Sequence, residues 1–493
     1  MLLTAVLSLA LLAPRALAAS GTLRVCDDVI EPVTLDPLKE FSEKNHTIIQ
    51  QIFDGLVRFD PEGRIEPALA VSWSRLDPLT MEFKLRAGVR FHDGEPLDAE
   101  AVRFSLERFA DPREGFPGAG FLNSIDRVEI VDKGTVRVTT RFPDGILLHR
   151  LAGLVTILPP RYIAEHGQAY FSSHPVGTGA FRFIRWDAGR RIVLGANEDY
   201  WSGGTPKFKE LVFIFLPIEK QVEGLLGGDV DIVTELPGTA TLKVMRNGST
   251  RIIKRESFYT IGSSINTSTG PLVDKRVRQA INYAIDREAL IRYDLLGNGK
   301  ALASLTMAGE IGHDPSLRPY PYDPKKARKL LAEAGYPKGV RLRAVVKAQG
   351  ERTMRIISSQ LKKVGISLDM RLTTDATVIH DIQNGSWDFT FGGCPDPMAH
   401  SFFIQSIFLS SMSPYSLLRD ETYDRLLGKM VAALEPEAQQ QAGMELDRYV
   451  HDEALSVFTY QRIKTYGVSK RIHFTPSITG MPYFSLSDAQ DMP

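Results

Sequence analysis

An α/β fold is predicted by three features of the chain. Alternating or wholly apolar runs of strand length are interleaved with capped amphipathic helices from one end to the other. At 493 residues the chain exceeds what one core organises, so roughly two to four domains or lobes are expected. No repeat, low-complexity tract or long linker interrupts it, so the lobes should be joined by short strand crossovers.

The elements follow in order. "GTLRVCDD" alternates and runs into acidic residues, a first strand ending in a loop. In "HTIIQQIFDGLVRFDPEGRIEPALAVSW", Ile48, Ile49, Ile52 and Phe53 share one helical face, and a Gly turn and a short strand pair follow. "MEFKLRAGVRFHDGEPLDAEAVRFSLERFAD" reads as strand, turn and helix, with Asp98 as N-cap and Val102, Leu106 and Phe109 spaced for burial. Two hairpins turn at Asp132-Lys133-Gly134 and at Asp187-Ala188-Gly189. "KFKELVFIFLP" is a buried strand, followed by a helix over 218–226 and the short strand "VDIVTEL". Val277, Ala280, Ile281 and Ala284 mark a helix face. In "DPKKARKLLAEAGYPKG", Asp323 suits an N-cap, Pro324 the first turn and Gly335 the stop. "VRLRAVVKA", "RTMRIISSQLKKVGI" and "SLDMRLT" read as strand, helix and strand. Two helices split at Pro436, and "LSVFTYQRIKTYGVS" is a late strand region.

Bulk composition narrows the function. The chain is 43% hydrophobic and 24% charged, and its 59 Lys+Arg balance 59 Asp+Glu. A nucleic-acid binder carries a basic excess, and this chain has none. "MLLTAVLSLALLAPRALAAS" is apolar and then small, with Ala16-Leu17-Ala18 fitting a cleavage site before Ala19. It departs from an ordinary leader in that no Lys or Arg precedes the apolar stretch and Arg15 follows it. It falls short of the ~20 apolar residues of a membrane span. Cys26 comes too late to carry a lipid, so the expected product is periplasmic, freely diffusing and monomeric.

Enzyme signatures are weak. "GTG" at 177–179 leads into a strand and lacks the frame of a phosphate loop. There is no G-x-S-x-G, H-E-x-x-H or C-x-x-C. His92 reads as a turn residue. "FGGCPDPMAH", from Phe391 to His400, gathers Cys394, Asp396 and His400, but Pro395 and Pro397 stiffen it and no fourth metal ligand is near in sequence. No catalytic residue, metal or cofactor is assigned.

Nine ordered stretches carry a resemblance. They are "GTLRV…TLDP" (21–37), "IFDGLVRFDPEGRIEPALAVSW" (52–73), "FKLRAGVRFHDGEPLDAEAVRFSLER" (83–108), "HPVGTGAFRF" (174–183), "NEDYW" (197–201), "LLGGDVDIV" (225–233), "DKRVRQAINYAIDRE" (274–288), "YPYDPKKARKLLAEAGY" (320–336) and Asp396-Pro397. Together they span the mature chain, which resembles solute-binding protein family 5, the dipeptide, oligopeptide and nickel-binding proteins of ABC importers. The resemblance implies a two-lobe periplasmic-binding-protein fold (class II, the large cluster with an extra subdomain), with two hinge crossovers near 259–265 and 462–467. The implied division is a leader over 1–18; lobe I over 19–52, 159–262 and 466–493; an inserted subdomain over 53–158; and lobe II over 263–465. Its implied partners are a peptide or small-molecule ligand and an inner-membrane permease with cytoplasmic ATPases.

The resemblance also implies ligand contacts at Glu31, Tyr259, Arg352, Gly393, Cys394, Asp396 and His400, with Trp73, Trp201 and Gly177 architectural. Dipeptide-binding relatives resemble "GWxxDxxDP" here, their first Asp pairing with the ligand's α-amino group. Aligning the last Asp-Pro puts Gly393 at that Asp and Thr390 at the aromatic position. The expectation is a pocket floor without the usual amine anchor, Asp396 being the acid left nearby, and a ligand blocked or uncharged at its N-terminus. Arg352 falls where relatives keep an arginine for the ligand carboxylate. A metal-chelate receptor is the alternative, and an enzyme on the same scaffold stands behind it. Cys26 and Cys394 are expected on opposite lobes as separate thiols.

Overall fold

Two strands hold this molecule together. The computed structural model describes residues 21–27, 30–39, 41–203, 206–374 and 376–489. Within them, Thr250–Gly262 and Tyr460–Ser469 pair antiparallel down the middle of an eleven-stranded sheet. On one side of the pair the order continues through Ile232–Val233, Thr22–Cys26, Glu210–Ile214, Arg191–Ala196 and Phe181–Asp187. On the other it continues through Phe389–Pro395, Val340–Lys347 and Ile366–Thr373, while Gly299–Ala301 pairs with the second long strand. The register runs regularly from Thr250↔Ser469 to Glu256↔Ile463 and then shifts before Thr260↔Gln461. A shift of this kind bends a strand and re-aims its side chains, and Tyr259 lies inside it.

Both halves are parallel where helices cover the sheet. Thr22–Cys26 pairs parallel with Glu210–Ile214 and with Ile232–Val233, and Val340–Lys347 pairs parallel with Ile366–Thr373 and Phe389–Pro395. Parallel strands buried on both faces need near-continuous apolar sequence. Leu211, Val212 and Phe213 supply it in one half, and Leu342, Ala344, Val345 and Val346 in the other. A separate four-stranded antiparallel sheet, formed by residues 70–77, 80–85, 135–140 and 125–132, lies under the helix Ala99–Ala110.

Local signals land where the sequence placed them. Asp98 caps its helix by accepting from the Glu100 and Ala101 N–H groups, and Asp323 caps Pro324–Glu333 by accepting from Lys326 N–H. Val277, Ala280, Ile281 and Ala284 are all buried. Trp201 donates its indole N–H to buried Asp54, and His92 contacts the Gly179 carbonyl at 2.9 Å, so both act in packing. Gly177 packs on the end of the first helix, where a Cβ would meet the Phe53 ring at 2.7 Å. The proposed leader lies outside the described residues.

Candidate ligand cleft

The chemistry gathers at the carboxyl ends of the parallel strands. In open α/β sheets that edge is where ligands bind, because neighbouring connections diverge there and leave a crevice. Thr22–Cys26 ends in Asp27, and Ile232–Val233 ends in Thr234 and Glu235. The helix Glu43–Ile52 starts at the same edge and brings Glu43 and Lys44. The long strand Tyr460–Ser469 adds Arg462 and Lys464, whose side chains alternate onto one face.

These groups form one network. Lys464 Nζ lies 2.9 Å from Glu43 Oε1 and 3.2 Å from Glu235 Oε1, and donates to the Gly480 carbonyl at 2.9 Å. Arg462 ion-pairs with Glu235, and Lys44 lies 3.8 Å from Glu235. Lys44 Nζ also donates to the Asp27 carbonyl at 2.9 Å, and the Thr234 hydroxyl donates to Asp27 Oδ1 at 2.5 Å. Burial opposes the charge on Glu235, but Arg462, Lys464 and Lys44 outweigh it and hold its carboxyl well below the usual range. Asp27 goes the other way: burial raises its carboxyl, against the pull of Lys44, Lys464 and Thr234.

The opposite wall is the strand Phe389–Pro395, which pairs with the strand Thr250–Gly262 as Tyr259↔Pro395, Thr260↔Cys394 and Ile261↔Gly393. Arg462 sits over the Tyr259 ring, 5.4 Å from its centroid, joining the two walls. A Cβ on Gly393 would overlap the Tyr259 hydroxyl and come within 2.8 Å of Cζ. The phenol therefore fills the space that a side chain at 393 would use. Cys394 and Cys26 are both buried and not cross-linked, and burial with the neighbouring Asp27 pushes the Cys26 thiol up to about 12.

The sequence-predicted residues separate in space. Tyr259, Gly393 and Cys394 meet at the crossover. Asp396 is fully buried, and its carboxylate accepts from Met398 N–H at 2.7 Å and His400 N–H at 2.8 Å and pairs with Glu310. His400 is equally buried, packed edge-on against His149 with centroids 5.1 Å apart, and its ring is held neutral by burial. Both belong to the interior, because Asp396 is spent on its own turn and His400 on a packing contact. Glu31 accepts from the Trp186 indole at 2.7 Å and Gly189 N–H at 2.8 Å, which fixes its loop to the hairpin 181–196. Arg352 has a 73% exposed side chain and bonds to Asp294 and the Tyr293 carbonyl. Sequence reasoning missed Asp27, Glu43, Lys44, Glu235, Arg462 and Lys464. Among the described residues, no three His, Cys, Asp or Glu side chains converge as metal ligands, and no helix is long and apolar enough to cross a membrane.

Comparison with known proteins fits this geometry. Residues 64–413 match the family described as bacterial extracellular solute-binding proteins, family 5 Middle. The chain belongs to that family. The glutathione-binding protein GsiB of Pectobacterium atrosepticum is 29% identical over 343 residues, covering 68% of this chain and 66% of the relative. The matched part thus spans about two thirds of the length of such curated relatives. The solved structure of DppA from Helicobacter pylori with the peptide STSA superposes with a TM-score of 0.84 at 23% identity, covering 96% of this chain and 99% of that one. AgaA from A. tumefaciens R10, in complex with agropinic acid, superposes at 0.82 with 27% identity and covers 96% and 99%. The fold is the two-lobe α/β architecture of these binding proteins, with the lobes joined through the two long strands.

Proposed function

We propose that the chain is the periplasmic binding component of an ABC importer, capturing a peptide or peptide-like solute between its lobes and delivering it to an inner-membrane permease with cytoplasmic ATPases. The observation that carries this reading is the charged network at the strand edge, facing Tyr259 and Gly393 where the two long strands cross. A solute held there touches both lobes, so its binding energy favours the closed arrangement, and closure is what a permease can read. Peptide-bound structures of the same fold and the GsiB likeness support the solute class. The boundaries read from the sequence belong to this proposal: lobe I over 19–52, 159–262 and 466–493, an inserted subdomain over 53–158, and lobe II over 263–465.

Tyr259, Gly393 and Cys394 are the expected contacts from the crossover, joined by Arg462 and Lys464. AgaA, at 27% identity, favours a second reading, an acidic non-peptide solute. Native mass spectrometry of protein purified from its own periplasm without refolding decides between them. A released peptide supports the first reading, and a released opine-type acid, sugar or metal chelate replaces it.

A further inference from the structure

Asp27 is the exception among the acids of the cleft. Glu235 has Arg462, Lys464 and Lys44 around it, and Glu43 has Lys464. Asp27 is 5% exposed, and its Oδ1 accepts from Thr234, but Oδ2 is buried with no hydrogen-bond partner among the described residues. A buried carboxyl oxygen left unsatisfied is costly, and native structures fill such valences with partner, water or ligand. The position points to a ligand: Oδ2 belongs to Asp27, which directly follows the first parallel strand Thr22–Cys26 at the carboxyl edge of the sheet. The acids of the other wall offer no alternative, since Asp396 is committed to its own turn and to Glu310, and position 393 has no side chain.

We infer that Asp27 receives the primary ammonium group of a zwitterionic amino-acid or peptide solute, with Thr234 holding the carboxyl in place. The inference rests on the import reading above and names the chemistry of its ligand. The surrounding charges fit a zwitterion. Lys44, Arg462 and Lys464 face Glu43, Glu235 and Asp27 across the network, so an ionised Asp27 makes three cations against three acids. A ligand bringing one ammonium to Asp27 and one carboxylate to the Lys464–Arg462 side preserves that balance. The amine anchor thus sits on the lobe I edge, opposite the wall where Gly393 leaves no acid.

Proton linkage supplies a signature that mere structural support would not. Without ligand, burial favours the protonated Asp27 carboxyl, opposed by Lys44, Lys464 and Thr234 and helped by Glu43. A bound ammonium favours the carboxylate, so its arrival releases a proton to the buffer.

The test uses the full exported protein stripped of bound solute. Its probes are glutathione with an equimolar di- to tetrapeptide library, and the same set N-acetylated. Native mass spectrometry ranks the retained species, and calorimetry in two buffers of different ionisation enthalpy measures proton release. The expected result is at least tenfold preference for free amines, and proton release that Asp27→Asn abolishes together with the preference. Thr234→Val should weaken both in part. Equal retention of acetylated and free peptides overturns the inference while leaving the peptide reading intact. So does an Asp27→Asn protein that folds and keeps the preference. Retention of neither set, with capture of a metal chelate or sugar instead, overturns the peptide reading and this inference with it. If Asp27→Asn does not fold, the wild-type preference and buffer-dependent heat decide alone.

Discussion

Two buried acidic clusters lie within a few residues of the same crossover strand and solve burial in opposite ways. At the sheet edge, Glu43 and Glu235 are matched by Lys44, Arg462 and Lys464, so charge survives burial because every acid but Asp27 has a cation. Behind the other wall, Glu310 and Asp396 face each other with no such cation, and desolvation raises both. They keep one proton between them, with Glu310 donating to Asp396 while the Met307, Met398 and His400 N–H groups satisfy the remaining oxygens. The first arrangement leaves Asp27 Oδ2 without a hydrogen-bond partner among the described residues, whereas in the second the two acids pair with each other and with backbone N–H groups of their own segments. Burial of an acid is therefore not by itself a sign of a binding site; what matters is whether its partners are complete.

The largest expected effect comes from joining the two walls more tightly. Gly393→Ala drives a methyl group into Tyr259, whose ring Arg462 also covers. Overpacking of this kind costs about 1–3 kcal/mol. Pairing it with Tyr259→Ala should recover part of the loss, and a double-mutant cycle by urea unfolding measures the coupling. Simple additivity would show that the phenol does not fill the space at 393.

Glu235→Gln and Glu310→Gln test the contrast directly, because the same change should act with opposite sign. At the sheet edge it leaves three cations facing fewer acids, at a cost on the order of 2 kcal/mol at neutral pH, between the exposed and fully buried limits. The folded-state pKa of Glu235 is depressed, so its contribution is present above the unfolded carboxyl value of about 4.3 and fades as pH falls through the folded value. The melting temperature of wild type should drop toward that of the variant in acid. Behind the wall the sign reverses. Glu310 holds the shared proton and burial beside Asp396 raises its carboxyl well above the usual range, so the stability of that proton is complete below the unfolded carboxyl value of about 4.3 and is lost only as pH rises through the raised folded value of Glu310. A glutamine at 310 donates to Asp396 with its amide and accepts from Met307 N–H with its carbonyl, at any pH. Glu310→Gln should gain about 1 kcal/mol over wild type once pH rises past the raised folded value of Glu310 and nothing in acid. A melting curve that moves in the same direction for both variants would sink the distinction.

How much of this was legible depends on how far each signal reaches along the chain. Caps and alternation are local, so Asp98, Asp323 and the hairpins could be placed from a few neighbouring residues. The α/β class followed from such pieces taken in order, and the two crossovers from the family resemblance. The charged network is not local: Glu43 meets Lys464 across 421 residues, and no spacing rule brings them together. One clue was present, since Glu235 directly follows the buried strand end Ile232–Val233-Thr234, where parallel strands place their functional groups. The segment 391–400 misled because it is two things. Its first half is a strand forming the cleft wall, and its second half, after Pro395, is a turn whose polar groups bond to each other. Residue types that suggest chemistry in sequence were spent there on backbone N–H groups.

The smallest expected effect concerns Arg352. Its guanidinium reaches Asp294 Oδ1 at 3.1 Å and the Tyr293 carbonyl at 3.0 Å, and the side chain is mostly in water. An exposed pair of this kind contributes about 0–1 kcal/mol. Thr353 and Tyr460 also bond to Asp294, at 2.5 and 3.0 Å, so the carboxylate keeps partners when the arginine is gone. Arg352→Ala should therefore leave the melting temperature within a degree or two and solute affinity within about threefold. The informative outcome is the other one. A tenfold loss of affinity without loss of stability would mean that Arg352 leaves Asp294 for the solute's carboxylate when the lobes close on it. The ligand would then be gripped from both walls, and the network at the sheet edge would be one anchor of two.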